Sequence, residues 1–219
     1  MILFELTGTE NNAVYQKLAI ANGNRQYDFL KSIAESSLEI GRPFLSQHVI
    51  KALNFQAITC LHTNAGEYRP CPVQVGDYQP PDHYRVGALM DDFVNTVNRN
   101  WEVSDPVVLA SFVLWRLNHI HPFINGNGRT ARAACYFVLC LKLGALLPGE
   151  RILPELLTEN RERYVAALRA VDASLPDLDL GPLHALLSEL LDQQVAATVE
   201  AAEAEGNAQQ VPEQPEDQA

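Results

Sequence analysis

The chain has 219 residues, 47% of them hydrophobic, and a formal net charge of −11. That length suits one globular domain with a small appendage, and such a core forms without disulfides or metal. A balance this acidic excludes a general nucleic-acid binder. The two most apolar stretches, 106–120 and 133–147, are interrupted by Arg116, His119 and Lys142 and are too short to span a membrane.

In chain order, residues 11–40 read as a mostly helical N-terminal region whose apolar positions Phe29, Ile33, Leu38 and Ile40 are loosely periodic, and Gly41-Arg42-Pro43 ends it. Ser46 is an N-cap for a helix running to about 62, with Val49, Leu53, Ala57 and Leu61 at i, i+4 spacing. Residues 71–81 are rich in turn and strand formers, and Val73 and Val75 beside Gly76-Asp77 predict a β-hairpin. Helices are predicted from Val86 to about 98, from Asp105-Pro106 to about 120, over 129–143, 159–172 and 181–203. The helices at 106–120 and 129–143 are apolar nearly all round and belong in the core.

Between those two helices lies His121-Pro122-Phe123-Ile124-Asn125-Gly126-Asn127-Gly128-Arg129-Thr130-Ala131-Arg132. A helix N-terminus carries unsatisfied N–H groups and partial positive charge, and glycines let its backbone approach an anion. Gly126-Asn127-Gly128 therefore forms a phosphate cradle. Arg129 and Arg132, three residues apart, lean toward the same mouth and suit phosphate through their planar donor forks. His121 is placed to take a proton from an attacking hydroxyl. A base beside such a cradle points to transfer of a nucleotidyl or phosphoryl group.

The loop resembles the Fic family signature H-P-F-x-(Asp/Glu)-G-N-G-R-x-x-R, matching every fixed position except the acidic one, which is Asn125. Gly66-Glu67-Tyr68-Arg69, Tyr78-Gln79-Pro80-Pro81 and the stretch from Asn160 to Leu168 resemble the start of that family's flap, its end, and its downstream Tyr-containing helix. The resemblance covers about residues 45–190. It implies an all-α bundle with one short β-hairpin, the flap, near the active loop, in agreement with the pattern reading. It also implies transfer of AMP from ATP to a hydroxyl side chain of a target protein. In that scheme His121 is the general base, Phe123 anchors the loop, and Gly126, Asn127 and Gly128 hold the α- and β-phosphates. Arg129 contacts phosphate and Arg132 supports the γ-phosphate end. The flap residues Val73, Val75 and Tyr78 would pin the target by strand addition.

In the family the acidic residue helps hold Mg²⁺, which favours a carboxylate together with substrate phosphates. Asn125 offers a neutral oxygen, and loss of one such electrostatic contact costs about 10²–10³ in rate. Three readings stay open: a slow AMP transferase, a transferase using another phosphate-containing donor, and a catalytically silent nucleotide-binding or interaction domain. Many relatives also carry an inhibitory helix, (Ser/Thr)-x-x-x-Glu-(Gly/Asn), whose glutamate pairs with the second motif arginine. The candidate here is Ser36-Ser37-Leu38-Glu39-Ile40-Gly41, with Glu39 one residue early and thus about 100° round the helix.

The resulting organisation is an N-terminal helical region at 1–44 with the inhibitory candidate, a catalytic domain at 45–203 and a disordered acidic tail at 204–219. In the last helix, Leu183, Leu187, Leu190, Leu191 and Val195 share one side, which suits packing on the body or a homodimer contact. Cys60, Cys71, Cys135 and Cys140 form no CxxC pair and no signal peptide is visible. Both observations predict a cytoplasmic protein with reduced, packing cysteines. His62, His83, His119 and His184 show no metal-ligand spacing.

Overall fold

The computed structural model describes residues 2–208, with side chains through 197. The described residues form nine α-helices: α1 (Leu3–Thr7), α2 (Ala13–Ile40), α3 (Gln47–Ile58), α4 (Val86–Arg99), α5 (Pro106–Ile120), α6 (Asn127–Leu143), α7 (Leu153–Glu159), α8 (Arg161–Ala173) and α9 (Gly181–Ala208). A 3-10 turn, His83–Arg85, leads into α4. No helix among the described residues is long and apolar enough to cross a membrane.

The centre of the bundle is α5 against α6. In α6 the side chains from Ala133 to Leu141 are buried without a break, as its all-round apolar sequence predicts. Asp105 caps α5 by accepting from the N–H groups of Val107 and Val108 at 2.8 and 3.1 Å, with Pro106 at the first helical position. Helices α2 and α3 cover one side of α6, and α9 packs on α8, α5 and α7. Leu183, Leu187 and Leu190 of α9 are buried and Leu191 partly so, while Val195 is 42% exposed, so most of the apolar stripe read from the sequence packs on the body of the fold.

The long helix α2 is capped by Asn12 and ends at Gly41 in the left-handed region. Its buried stripe is Tyr15, Asn22, Gln26, Leu30 and Ala34, a spacing of seven and then of four. Two of these residues are polar, which is why the apolar periodicity of the segment looks loose. Asn22 Nδ2 donates to the carbonyl of Thr59 at 2.9 Å, and Gln26 Nε2 to that of Leu53 at 2.9 Å. Asn22 satisfies a carbonyl at the end of α3 and Gln26 bonds one in its middle, so both polar groups are paired while buried. Of the apolar positions noted in the sequence, Phe29, Ile33 and Leu38 pack partly buried against the core, whereas Ile40 is 71% exposed.

Four expectations need correction. Helix α3 stops at Ile58 rather than near 62, because Thr59 turns out of the helix at ψ 134° and Cys60 then takes a left-handed conformation. Helix α7, unpredicted, is two turns held by a capping contact from Glu155 to the N–H of Ile152. The predicted hairpin at 71–81 is reduced to one antiparallel bridge between Val75 and Tyr78, with hydrogen bonds of 3.0 and 2.9 Å around Gly76-Asp77. Pro72, Pro80 and Pro81 lack the N–H donors that a longer ladder needs. Cys135 and Cys140 are packing residues as expected, but Cys60 and Cys71 are exposed. Of the tail expected at 204–219, residues 204–208 continue α9 and residues 209–219 lie outside the described residues.

Candidate functional site

His121 caps the C-terminus of α5 in the left-handed region, φ 51° and ψ 60°, where its N–H still bonds Leu117 O at 3.0 Å. A non-glycine residue there costs about 1–2 kcal/mol, and such strain is concentrated at functional positions. The turn swings the imidazole off the helix axis into a cavity of about 400 Å³. Burial pushes its pKa down to about 4, opposed by a hydrogen bond to the Asn118 backbone and reinforced by Arg69. The ring is therefore neutral at pH 7 and able to accept a proton.

From His121 the chain turns through Phe123, fully buried, into α6. Asn127 closes the loop with its own side chain: Oδ1 accepts from Phe123 N–H and Nδ2 donates to Phe123 O, both at 2.9 Å. Its side chain is thus engaged within the loop itself. The first intrahelical bond is made by Thr130 N–H to Gly126 O at 2.9 Å, so the N–H groups of Asn127, Gly128 and Arg129 precede it at the positive end of the helix. Gly126 is required twice over. Its φ is +76°, and a Cβ would lie 2.5 Å from Ile58 Cγ2.

Asn54 of α3, fully buried, ties this loop to its surroundings. Its Nδ2 donates to Asn125 O at 3.0 Å and Thr130 Oγ1 at 3.2 Å, and its Oδ1 accepts from Gly66 N–H at 3.0 Å. Arg69, 2% exposed, does the same for the flap. Its Nε donates to His121 O at 2.8 Å, Nη1 to Cys71 O at 3.1 Å, and Nη2 to Pro81 O. One guanidinium thus joins both ends of the flap to the histidine's own carbonyl. Tyr78 is fastened as well, its hydroxyl donating to His119 O at 2.7 Å. Of the three expected target-binding residues, Val75 is exposed, Val73 is half-buried, and Tyr78 holds the flap down.

Arg132 lines the His121 cavity together with Gly128, Arg161 and Tyr164. Burial lowers its pKa, Arg129 and Arg161 push the same way, and only Tyr164, hydrogen-bonded to it, opposes them. Three guanidiniums gathered without a carboxylate among the groups acting on Arg132 concentrate positive charge on an acidic protein. A larger cavity of about 840 Å³ lies between α2, α6 and α7 and also meets Arg129 and Arg132, but it lacks His121. Arg129 is engaged: Nη1 donates to Ala57 O at 2.9 Å and Nη2 to Asn125 Oδ1 at 3.3 Å.

Glu39 is not brought to the site. It is exposed in the last turn of α2, whereas the part of α2 facing Arg129 and Arg132 runs from Ile20 to Leu30. At 1.5 Å per residue the separation along the helix is about 13 Å or more. A different carboxylate approaches the loop: Glu10 Oε1 accepts from Asn125 Nδ2 at 3.0 Å and lies 3.2 Å from His62 Nε2.

A divalent cation does not fit position 125 as it stands. The one side-chain oxygen there is neutral and already accepts from a guanidinium, while the amide's other end is a donor. Among the described residues no group of three His, Cys, Asp or Glu is placed to hold a metal.

Residues 44–139 match the model of the Fic/DOC family. That stretch is similar to a Fic domain. A protein adenylyltransferase Fic of Drosophila willistoni is 43% identical over 68 residues, which is 31% of this chain and 14% of that protein; a Drosophila persimilis relative of the same name matches equally over 13% of its length. The chain therefore spans a small part of the curated relatives it matches. The fold is shared with a Fic domain containing signaling protein from Bacteroides thetaiotaomicron, TM-score 0.70 and 23% identity, over 92% of this chain and 79% of that one. Fic-1 from C. elegans superposes with TM-score 0.71 at 20% identity, covering 90% and 55%.

Several residues that build this site were invisible as such in the sequence. Asn54 and Glu10 sit 71 and 115 residues from their partner Asn125. Arg69 stood in a flap-like segment, but nothing local shows that it binds three carbonyls. His119, given no chemistry, lines the same cavity and holds Asp172 Oδ1 through Nδ1 at 2.9 Å.

Proposed function

We propose that this Fic domain transfers AMP from ATP to a hydroxyl side chain of a target protein. The observation that carries the reading is one shared cavity. It brings a neutral His121, the open N–H end of α6 and the Arg132 guanidinium together beneath the flap, where Val75 is exposed. The names of the Drosophila relatives support the same chemistry.

In this mechanism the target backbone adds to the exposed edge at Val75, which presents its hydroxyl to His121. The hydroxyl proton passes to the free imidazole nitrogen while the oxygen attacks the α-phosphorus. The bond from that phosphorus to the bridging oxygen breaks and pyrophosphate leaves with the electron pair. The N–H groups of Asn127 and Gly128 and the Arg132 fork meet the charge that develops on the phosphate oxygens. Phosphate negative charge beside the ring raises the affinity of His121 for the proton it must accept.

Asn125 supports a second reading, nucleotide binding without efficient transfer, because the donor set at that position offers no carboxylate. One experiment separates the two. The protein is incubated with a lysate and ATP labelled at the α- or the γ-phosphate. AMP transfer predicts label on protein from the α position only, lost in His121→Ala. Binding of ATP with no label from either position would leave the silent reading standing, and label from the γ position alone would point to phosphoryl transfer.

A further inference from the structure

The side chain of Asn125 is held in one orientation by its neighbours. Arg129 can only donate, so the amide oxygen must face it, at 3.3 Å. The Glu10 carboxylate can only accept, so the amide nitrogen must face it, at 3.0 Å. The amide nitrogen is therefore the outward, donating end of this side chain, on a residue that lies two positions ahead of the first residue of α6. That end of the residue complements an anion, and an anion is what it binds here.

Glu10 is brought in from outside the family-matched segment. Leu3 N–H donates to Cys60 O at 2.9 Å and Phe4 N–H to Leu61 O at 3.1 Å, fastening α1 beside the end of α3. The Phe4 ring lies 4.7 Å from that of His62. His62 Nε2 is 2.8 Å from the Tyr15 hydroxyl and 3.2 Å from Glu10 Oε1. Glu10 itself is half exposed, with its side chain at 49%. The carboxylate is thus positioned but not buried, and it can leave.

We propose that Asn125 is a hydrogen-bond donor to phosphate in this chain rather than a cation ligand, so that nucleotide binding requires no divalent cation, and that Glu10 is the internal anion a phosphate oxygen displaces from the Asn125 amide. An acidic residue at 125 needs a cation to bridge it to a phosphate, whereas an amide N–H bonds the phosphate oxygen directly. The same substitution is what admits Glu10, since two carboxylates in contact repel each other. The proposal rests on the reading of the loop as a phosphate site.

The test is calorimetric titration of the full chain with a non-hydrolysable ATP analogue, in EDTA and in excess Mg²⁺. Wild-type affinity is expected to agree within about threefold between the two buffers. Glu10→Gln should tighten binding several-fold in both by removing the competing charge. Asn125→Asp should weaken binding about tenfold or more in EDTA, the scale of a lost charge-assisted hydrogen bond, and Mg²⁺ should restore it. Wild-type binding seen only with Mg²⁺ overturns the proposal while keeping the phosphate site. If Glu10→Gln also abolishes the Mg²⁺ effect, Glu10 is a cation ligand instead. No binding by any variant in either buffer overturns the phosphate-site reading together with the proposal.

Discussion

Replacing Asn54 with alanine should damage the site from beneath without touching any residue that faces the cavity. Asn54 makes three hydrogen bonds of 3.0 to 3.2 Å to three different segments: the start of the flap, the motif loop and the first turn of α6. Each is worth about 1 kcal/mol net, and the Gly66 N–H and Asn125 carbonyl left behind add desolvation cost, so the loss comes to about 3–5 kcal/mol. That is a large share of the 5–15 kcal/mol typical of a domain. Asn54→Asp is the sharper companion. It keeps the acceptor for Gly66 N–H but turns a lone pair toward the Asn125 carbonyl, so it should lose at least as much as alanine. The assay is urea denaturation followed by far-UV circular dichroism, with nucleotide affinity measured on the folded protein. A loss below about 1 kcal/mol for Asn54→Ala, with unchanged affinity, would refute the claim that this residue holds the loop in place.

Gly126→Ala combines left-handed strain with a methyl 2.5 Å from Ile58 Cγ2, so it should cost about 2–4 kcal/mol and cut nucleotide affinity; thermal melts and titration check both effects. Arg69→Lys keeps the charge but cannot reach three carbonyls in three directions, and it should raise the protease sensitivity of the flap at 71–81 while lowering transfer. His121 has a folded pKa near 4 against about 6.5 unfolded. The unfolded chain therefore binds the extra proton between those values, and stability is complete above pH 6.5 and falls toward pH 4, by up to about 1.4 kcal/mol per pH unit. Because burial also depresses His62, the clean observable is the difference between wild type and His121→Gln, whose stability should depend less steeply on pH in that window.

What the sequence makes legible follows the range of the interactions. The α5–loop–α6 unit is contiguous, so its apolar runs, its Pro106 start and its glycine turn are all visible in one stretch. Helix α2 is legible as a helix, yet its packing face is not, because Asn22 and Gln26 lie on it and their burial depends on carbonyls of α3 and its cap. Asn127 shows the limit within the motif itself. Its place beside the cradle is evident, but the closed pair of bonds to Phe123 appears only once the loop is folded. Glu10 and Asn54 matter through contacts 115 and 71 residues away along the chain, which periodicity and spacing do not encode.

The central claim is that the start of α6 is a phosphate site facing His121. Backbone amide NMR during titration with ATP tests it most directly. The account predicts saturable shifts centred on the N–H groups of Asn127, Gly128 and Arg129, with the His121 and Arg132 side chains responding at the same ligand concentration. Shifts confined to the larger cavity at Gly23–Leu30 and Glu155–Glu159, with the amides of 127–129 unmoved, would contradict it.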